Sequence, residues 1–429
     1  MERLSGSPNY RVLVHADPLL PPRTGIAHYS IELLRAFRDC AGAQAAISLI
    51  GFRFALKPFS PPAGQVRLAN EMGWGFDIHP RVAPGYLYQV LRRRDMQFPV
   101  PIDIFKSRNG TAVYFFPNFV GLPVLRSPSV IAVHDLAFKL LPETLPRSGY
   151  ASFLEKYLPR YINRASRVVV NSQSTRQALI EHYGARPDKV VVLYPGVDHS
   201  AFNPDVDGDL RRRVRERYGL TGPYILALGT LEPRKNLIRA IEAFARLETD
   251  SQIPLVIAGA KGWKNDEVFA KTRELGVEER VRFLGYVDED ERPPLLAEAR
   301  LLVLPSLLEG FGIPVVEAMA CGTPVVTSKA GGLPEAGGDA ALYVDPTDVL
   351  GIRDGIAKAL NDETLRRRMV ATGLEHSRKF TWTRSGAKLA KLFGEVARES
   401  APAERDRRRQ SSSRNSSEFA TSRKEERHG

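Results

Sequence analysis

Two glutamates eight positions apart, Glu309 and Glu317, bracket a Gly310-Phe311-Gly312 turn in the segment LLEGFGIPVVEAMACGTPVV. Pro314 follows the turn at the place suited to the first residue of a helix. Gly322 and Pro324 end that helix, and Pro324-Val325-Val326 opens an apolar strand. Backbone N–H groups at a helix start lack intrahelical partners and lie at the positive end of the helix dipole. A glycine turn lets a ligand approach them closely. Gly310, Phe311 and Gly312 therefore predict an anion site suited to a diphosphate. A carboxylate beside a phosphate repels it, so Glu309 and Glu317 are better used as acceptors for hydroxyls. A diphosphate flanked by two polyhydroxyl groups is a nucleotide sugar. The same letters also fit a plain strand–turn–helix with two solvated glutamates.

The segment LGTLEPRKNL places Gly229, Arg234 and Lys235 between a strand and a helix. Ligands of open α/β sheets bind at the carboxyl ends of strands, and two cations there suit a diphosphate. Arg clamps phosphate in a bidentate manner, whereas Lys acts as a point charge. Cations at a helix start oppose its dipole, which argues for a purpose other than solvation. His134 ends the run SVIAVHD and can donate to a sugar hydroxyl; the alternative is a structural histidine held by Asp135. Glu335, in GGLPE, can cap the next turn, and Glu232 is read as a loop carboxylate without a chemical role. Gly25 stands alone in PRTGI, where a phosphate approach and an ordinary helix entry fit about equally.

These residues need a frame, and the frame is legible. YRVLVHA, from Tyr10 to Ala16, reads as a buried first strand. Gly25 opens a helix with Ile26, Tyr29, Ile31, Leu33, Leu34 and Phe37 on its apolar face. Strand, loop, helix is the first unit of a doubly wound fold. Strands are predicted at 47–52, 112–116, 130–133, 167–170 and 190–193, with helices at 150–165 and 172–183, the latter capped by Ser172 or Ser174. Residues 53–110, rich in proline and arginine, suit acceptor-side loops. YPGVDHSAFNP, from Tyr194 to Pro204, reads as a linker. The alternation then restarts, with strands at 224–228, 255–258, 281–283, 301–304, 324–327 and 341–344 and helices that include 236–247 and 294–299. Strands alternating with helices predict two parallel-sheet domains.

Glu309-x(7)-Glu317 resembles the signature of the retaining family 4 glycosyltransferases, which have the GT-B fold of two Rossmann-like domains facing a cleft. The resemblance extends over most of residues 10–398 and is most specific across 224–345. It implies that Glu309 faces the donor sugar, that Glu317 holds the nucleotide ribose, and that the loop around Gly229, Arg234 and Lys235 binds phosphate. Many members carry an arginine directly after that glycine; Thr230 stands there here, so Arg234 or Lys235 must carry the charge. The resemblance also places Gly25 near donor phosphate or acceptor, His134 near the reacting sugar and Glu335 along the donor cleft. It implies retention by same-face attack rather than a Glu309 nucleophile. The pairing of HDLAF with LGTLEPRKN is similar to bacterial mannosyl- or rhamnosyl-type transferases of polysaccharide assembly. The expected donor is GDP-mannose, with no metal and no cofactor beyond the donor itself, since the cations replace a divalent ion. The expected acceptor is a saccharide or lipid-linked hydroxyl. A nucleotide-sugar epimerase of similar architecture and a non-catalytic polyanion-binding protein are the competing readings.

A chain of 429 residues predicts more than one core. The expected divisions are 1–198 as the acceptor-side domain, 199–375 as the donor domain, 376–400 as a helix returning to the first, and 401–429 as a disordered tail poor in apolar residues. No apolar run reaches the ~20 residues of a membrane span, and the first ten residues lack a signal-peptide core. Cys40 and Cys321 form no metal pattern, and Cys321 is expected to be a packed thiol. A cytoplasmic protein is expected, and attachment to the inner face of the cell membrane is a separate hypothesis that rests on the basic charge. The net charge of +12 admits anionic partners. Arginines do not interleave with aromatics, so nucleic acid is not expected. The clusters Arg92–Arg94, Arg211–Arg213 and Arg366–Arg368 are read either as solvated helix faces or as contacts to an anionic bilayer.

Overall fold

The computed structural model describes residues 9–20, 25–50, 63–72, 75–77, 111–120, 127–146, 149–248 and 253–400. The arginine cluster at 92–94 and the tail at 401–429 lie outside them. Of the stretch 53–110, the described parts are a helix, Ala63–Met72, and a short strand, Gly75–Asp77. By Cα proximity the chain divides into two compact units, 1–132 with 161–168 and 386–429, and 133–160 with 169–385.

The first sheet contains β1 (Tyr10–His15), β2 (Ala45–Ile50), β3 (Gly75–Asp77), β4 (Thr111–Phe116), β5 (Ser129–Val133), β6 (Arg167–Val170) and β7 (Val190–Val192), in the order β3-β2-β1-β4-β5-β6-β7. Tyr10 of β1 pairs in parallel with Ala45 on one side and Thr111 on the other. The helix Gly25–Ala41 buries Tyr29, Ile31, Leu33, Leu34 and Phe37 as its periodicity requires, while Ile26 is only half-buried. Of a helix spanning 382–400, the part from Gly386 onward belongs to the first unit. Its Phe393 meets Phe37 and Phe115 edge-to-face at 5.1 and 5.6 Å, and Gly386 lies against Ala36 with no room for a Cβ. Such aromatic pairs add about 0.5–1.5 kcal/mol beyond the area they bury.

The C-terminal helical stretch expected from 376 onward is therefore two helices. Glu363–Ser377 ends first, and the next begins at 382. The break has a cause. The Phe380 carbonyl accepts from the Val197 N–H at 3.1 Å, and the Trp382 backbone closes on Gly196. A continuous helix would deny both contacts.

The second sheet contains β8 (Ile225–Leu228), β9 (Leu255–Ala258), β10 (Val281–Gly285), β11 (Leu301–Leu304), β12 (Val325–Ser328) and β13 (Leu342–Val344), in the order β10-β9-β8-β11-β12-β13. β8 pairs in parallel with both β9 and β11. Counted within the sheet, the order is 3-2-1-4-5-6, that of a dinucleotide-binding Rossmann sheet. Its central strands β8, β9 and β11 are apolar throughout because both faces are covered. Leu226, Leu228, Leu302 and Leu304 enter one core, and Ile225, Ala227, Leu301 and Val303 enter the other. Alternate side chains thus anchor opposite helix layers, and the sheet becomes a rigid base for the loops at its carboxyl edge.

Candidate active site

The strand order reverses between β8 and β11, the place where open α/β sheets receive ligands. The loop after β8 carries Arg234 and Lys235, and the loop after β11 carries Glu309. The structure brings all three together. Arg234 donates from Nη1 to the Leu308 carbonyl and to Glu309 Oε2, each at 2.8 Å. Its Nη2 donates to Glu232 Oε1 at 2.6 Å. Lys235 Nζ and Ser306 Oγ both donate to Glu309 Oε1 at 2.7 Å.

The backbone makes this possible. Gly229 adopts φ 147°, and a Cβ on it would press on the Lys235 side chain at 3.1 Å. Pro233–Lys235 form one turn of 3-10 helix, which brings both cations to the same side of the loop. Asn236 follows in the left-handed region at φ 59°, and its Nδ2 donates to the carbonyls of Pro305 and Pro346 at 2.9 and 2.7 Å. A helix was expected to begin at Asn236. Instead the residue is a buried tie between loops, and the helix runs Leu237–Ala245.

Burial makes the cluster electrostatically stiff. Desolvation alone would push the Glu309 carboxyl up. Lys235, Arg234 and the hydrogen bonds from Lys235 and Ser306 outweigh it and hold the group at about 2. Burial would lower Arg234, but Glu309, Asp135 and Glu232 hold its pKa above the ordinary value. Glu232 is raised by its own burial, against the pull of Arg234 and Lys235. Glu232, expected to be a loop carboxylate without a chemical role, is buried and ion-paired to Arg234.

The glycine turn is closely packed. A Cβ at Gly310 would lie 2.1 Å from the His134 carbonyl oxygen, and one at Gly312 would lie 2.8 Å from Leu333. Gly331 and Gly332 rest on the carbonyls of Glu309 and Gly310, with Gly332 N–H donating to the Glu309 carbonyl at 2.8 Å. Gly312 adopts φ 115° and caps the helix Ile313–Ala320, in which Pro314 occupies the first turn. The Phe311 ring is buried against Tyr194 and Phe380 at 5.6 and 5.2 Å. Phe311 thus anchors the turn, and only its backbone is available to a ligand. His134 is buried, its carbonyl accepting from Thr175 Oγ1 at 3.3 Å and abutting Gly310. Asp135 Oδ1 accepts from the Ala137 N–H at 2.9 Å, so it holds its own turn.

Three further expected site residues are not among the partners of Arg234, Lys235 and Glu309. Glu317 is 2% exposed and pairs with Arg292 at 3.4 Å, in the layer shared with buried Cys321. Glu335 accepts from the N–H groups of Gln173 and Ser174 at 2.7 and 2.9 Å and from Tyr194 Oη at 2.7 Å. It caps the helix Gln173–Tyr183 from outside, while Ser172 caps it from within by accepting from Thr175 N–H. Gly25 begins its helix exposed, in the first unit. The basic clusters are also largely engaged. Arg211 pairs with Glu298, Arg212 with Asp209 and Arg367 with Glu363, while Arg366 donates to the Leu360 carbonyl. Among the described residues, no helix is long and apolar enough to cross a membrane.

Sequence comparison places this geometry. Residues 24–201 match the family model described as glycosyltransferase family 4, and residues 211–376 match glycosyl transferases group 1. The O-antigen chain mannosyltransferase B of Escherichia coli is 31% identical over 382 residues, spanning 87% of this chain and 96% of that protein. The chain belongs to glycosyltransferase family 4. A second relative of the family 4 enzyme is the D-inositol 3-phosphate glycosyltransferase of Corynebacterium glutamicum, 32% identical over 64% of this chain and 67% of that protein. Among solved structures, Anabaena Alr3699/HepE in complex with UDP and glucose superposes with a TM-score of 0.67 at 21% identity, over 90% of this chain and 99% of that one. WaaG, a glycosyltransferase involved in lipopolysaccharide biosynthesis, gives 0.62 at 18% identity over 89% and 99%. These likenesses fix the architecture as GT-B. The expectation drawn from the motifs, a GT-B glycosyltransferase similar to bacterial mannosyl-type enzymes, holds.

Proposed function

We propose that this glycosyltransferase moves a hexose, mannose or a near relative, from a GDP-sugar to a hydroxyl of a lipid-linked or polysaccharide acceptor in cell-surface polysaccharide assembly. The observation that carries the donor half is the Arg234–Lys235–Glu309 cluster at the strand-order reversal. The kinship with the O-antigen mannosyltransferase supports the sugar and the setting.

In this reading the anomeric C–O bond to the diphosphate breaks while the acceptor oxygen bonds to the same carbon on the same face. The acceptor proton passes to the departing phosphate oxygen. Arg234, Lys235 and the N–H groups at Phe311 and Gly312 neutralise the charge that builds on that phosphate. Fixed donors of this kind contribute about 3 kcal/mol each in measured cases. Two protein cations at the phosphate supply the charge a metal would otherwise bring. A carboxylate held near 2 is a weak base, and Glu309 already accepts from Lys235, Arg234 and Ser306. It is better suited to orienting sugar hydroxyls than to taking a proton or attacking carbon. Glu317 is assigned to the ribose, which requires it to leave or share Arg292. Attachment to the anionic inner face of the membrane belongs to the same proposal, and co-sedimentation with anionic vesicles at low salt checks it.

Thermal unfolding against GDP, UDP, ADP and their sugar conjugates tests the donor. Ligand at a hundredfold its dissociation constant adds about 2.7 kcal/mol, enough to move the midpoint by several degrees. A shift with guanine nucleotides that disappears in Lys235→Ala supports the reading. A shift with uracil nucleotides alone replaces the donor base, and none with any nucleotide removes the donor site. A trapped glycosyl-Glu309 adduct would overturn same-face attack.

A further inference from the structure

The four charges at the site cancel. Glu232 and Glu309 are both paired with Arg234, and Glu309 also with Lys235. A diphosphate gains little from a neutral cluster unless one carboxylate gives up its partners. The geometry says which. Glu309 sits on the Gly310 turn where the ligand would arrive, and it accepts from both cations. Glu232 lies two residues before Arg234 and takes only Nη2, while Nη1 also grips the Leu308 carbonyl. The Arg234 carbonyl in turn accepts from the Leu307 N–H at 2.9 Å, so main chain and side chain of Arg234 are tied to the same strand exit.

We propose that Glu232 is a positioning residue: together with the Leu308 carbonyl it pins the Arg234 guanidinium, so that an incoming nucleoside diphosphate can take over the hydrogen bonds that Glu309 now accepts. This rests on the donor reading above and adds to it a division of labour between two carboxylates. One anchors the cation and stays. The other stands in for the anion and is displaced toward the sugar. The charged groups facing Arg234 are Glu309, Asp135 and Glu232, and of these Glu232 is the one bound to Nη2, the nitrogen that does not bond Glu309.

Net charge and positioning make opposite forecasts. Removing a carboxylate raises the positive potential, so charge alone would tighten diphosphate binding in Glu232→Ala. Positioning forecasts weaker binding. Without Glu232, Nη2 is left without its acceptor in a site where Arg234 is 16% exposed, and the guanidinium turns to a two-nitrogen grip on Glu309. Glu309 then becomes harder to displace. A hydrogen bond to a charged group is worth about 1.5–3 kcal/mol, so the loss should be roughly tenfold to hundredfold in affinity.

The experiment measures dissociation constants of GDP, UDP and ADP by calorimetry for wild type, Glu232→Ala, Glu232→Gln, Arg234→Gln and the Glu232→Ala/Arg234→Gln pair, with thermal midpoints as a check on folding. The expected result has three parts for the base that wild type binds. Glu232→Ala binds at least about tenfold more weakly. Glu232→Gln, which keeps an acceptor for Nη2 but not the charge, retains most of the affinity. In the Arg234→Gln background, removing Glu232 changes nothing further. Tighter or unchanged binding in a folded Glu232→Ala overturns the proposal and leaves the donor reading standing. Equal losses in Glu232→Gln and Glu232→Ala also overturn it, because an acceptor for Nη2 would then not be what holds the guanidinium. Wild type that binds none of the three nucleotides removes the donor reading and this inference together.

Discussion

The Cα of Gly310 rests against the main-chain oxygen of His134: a Cβ built there would lie 2.1 Å from that oxygen and 2.9 Å from Asn171 Nδ2. His134 follows directly on strand β5, so its carbonyl, unlike the Asn171 side chain, cannot yield as a flexible side chain would. Glycine is needed for closeness and not for a left-handed backbone, since Gly310 is not among the residues of positive φ. Gly310→Ala should cost about 1–3 kcal/mol, in the range of an overpacked core, and misplace the glycine turn. Thermal unfolding would record the first effect. A drop in sugar transfer larger than the lost stability explains would record the second.

Much of this arrangement is legible in the letters. LVIA and LLVL stand out as buried strands because a doubly covered strand needs no alternation, and both are found at the expected residues. What escapes is whatever depends on distant partners. Glu232 reads as an idle loop carboxylate because nothing local says that the loop is buried. Asn236 reads as the first residue of a helix, since a side chain reaching Pro346, 110 positions on, leaves no mark in the sequence. Glu335 offered a choice between lining a cleft and capping a turn. The helix it caps begins at Gln173, 162 positions earlier, so the cap is not the local one. Ser306, three residues before Glu309, was within reach of sequence reasoning: a hydroxyl at that spacing in a loop can bond a following carboxylate.

Acid stability should report on Glu309. Its folded-state pKa of about 2 lies below its ordinary 4.5, so its ionised form stabilises the fold. That contribution is full above the ordinary value and is lost as pH falls from 4.5 toward 2. Its size is roughly 3 kcal/mol by linkage. Denaturant unfolding of wild type and Glu309→Gln at several pH values is expected to show a gap that is widest above about pH 5 and closes toward pH 2. A gap independent of pH would mean that the ion pairs with Arg234 and Lys235 contribute no net stability.

Glu335 and Tyr194 should behave as one unit. The carboxylate caps the first two amides of the Gln173–Tyr183 helix and accepts from the Tyr194 hydroxyl. Burial and then the bond to Glu335 raise the Tyr194 phenol well above its ordinary pKa. Loss of a cap costs about 0.5–2 kcal/mol, so Glu335→Ala should destabilise by that order and speed amide exchange at Gln173 and Ser174. Tyr194→Phe should cost less, about 1 kcal/mol. In Glu335→Ala the tyrosine change should add almost nothing, because the partner is already gone. Additive effects in the double variant would separate the two.

The missing arginine at position 230 permits a reciprocal test of Arg234. Thr230 is exposed at the exit of β8, next to Gly229 and on the same loop as both cations. Many family 4 enzymes place an arginine at this spot. If Arg234 has taken over its work, Arg234→Gln should lower kcat/KM roughly hundredfold, as the loss of one fixed donor to developing charge does. Thr230→Arg in that background should then return a large part of the lost rate, since a guanidinium on a long stem can approach the same phosphate from the other side of the loop. The readout is kcat as well as KM. Recovery of kcat places the new cation at the leaving phosphate, whereas recovery confined to KM would mean that it merely attracts the donor. Thr230→Arg alone, with Arg234 present, should change little, because the phosphate is already neutralised. A several-fold gain there would show that Arg234 leaves charge on the phosphate unmet.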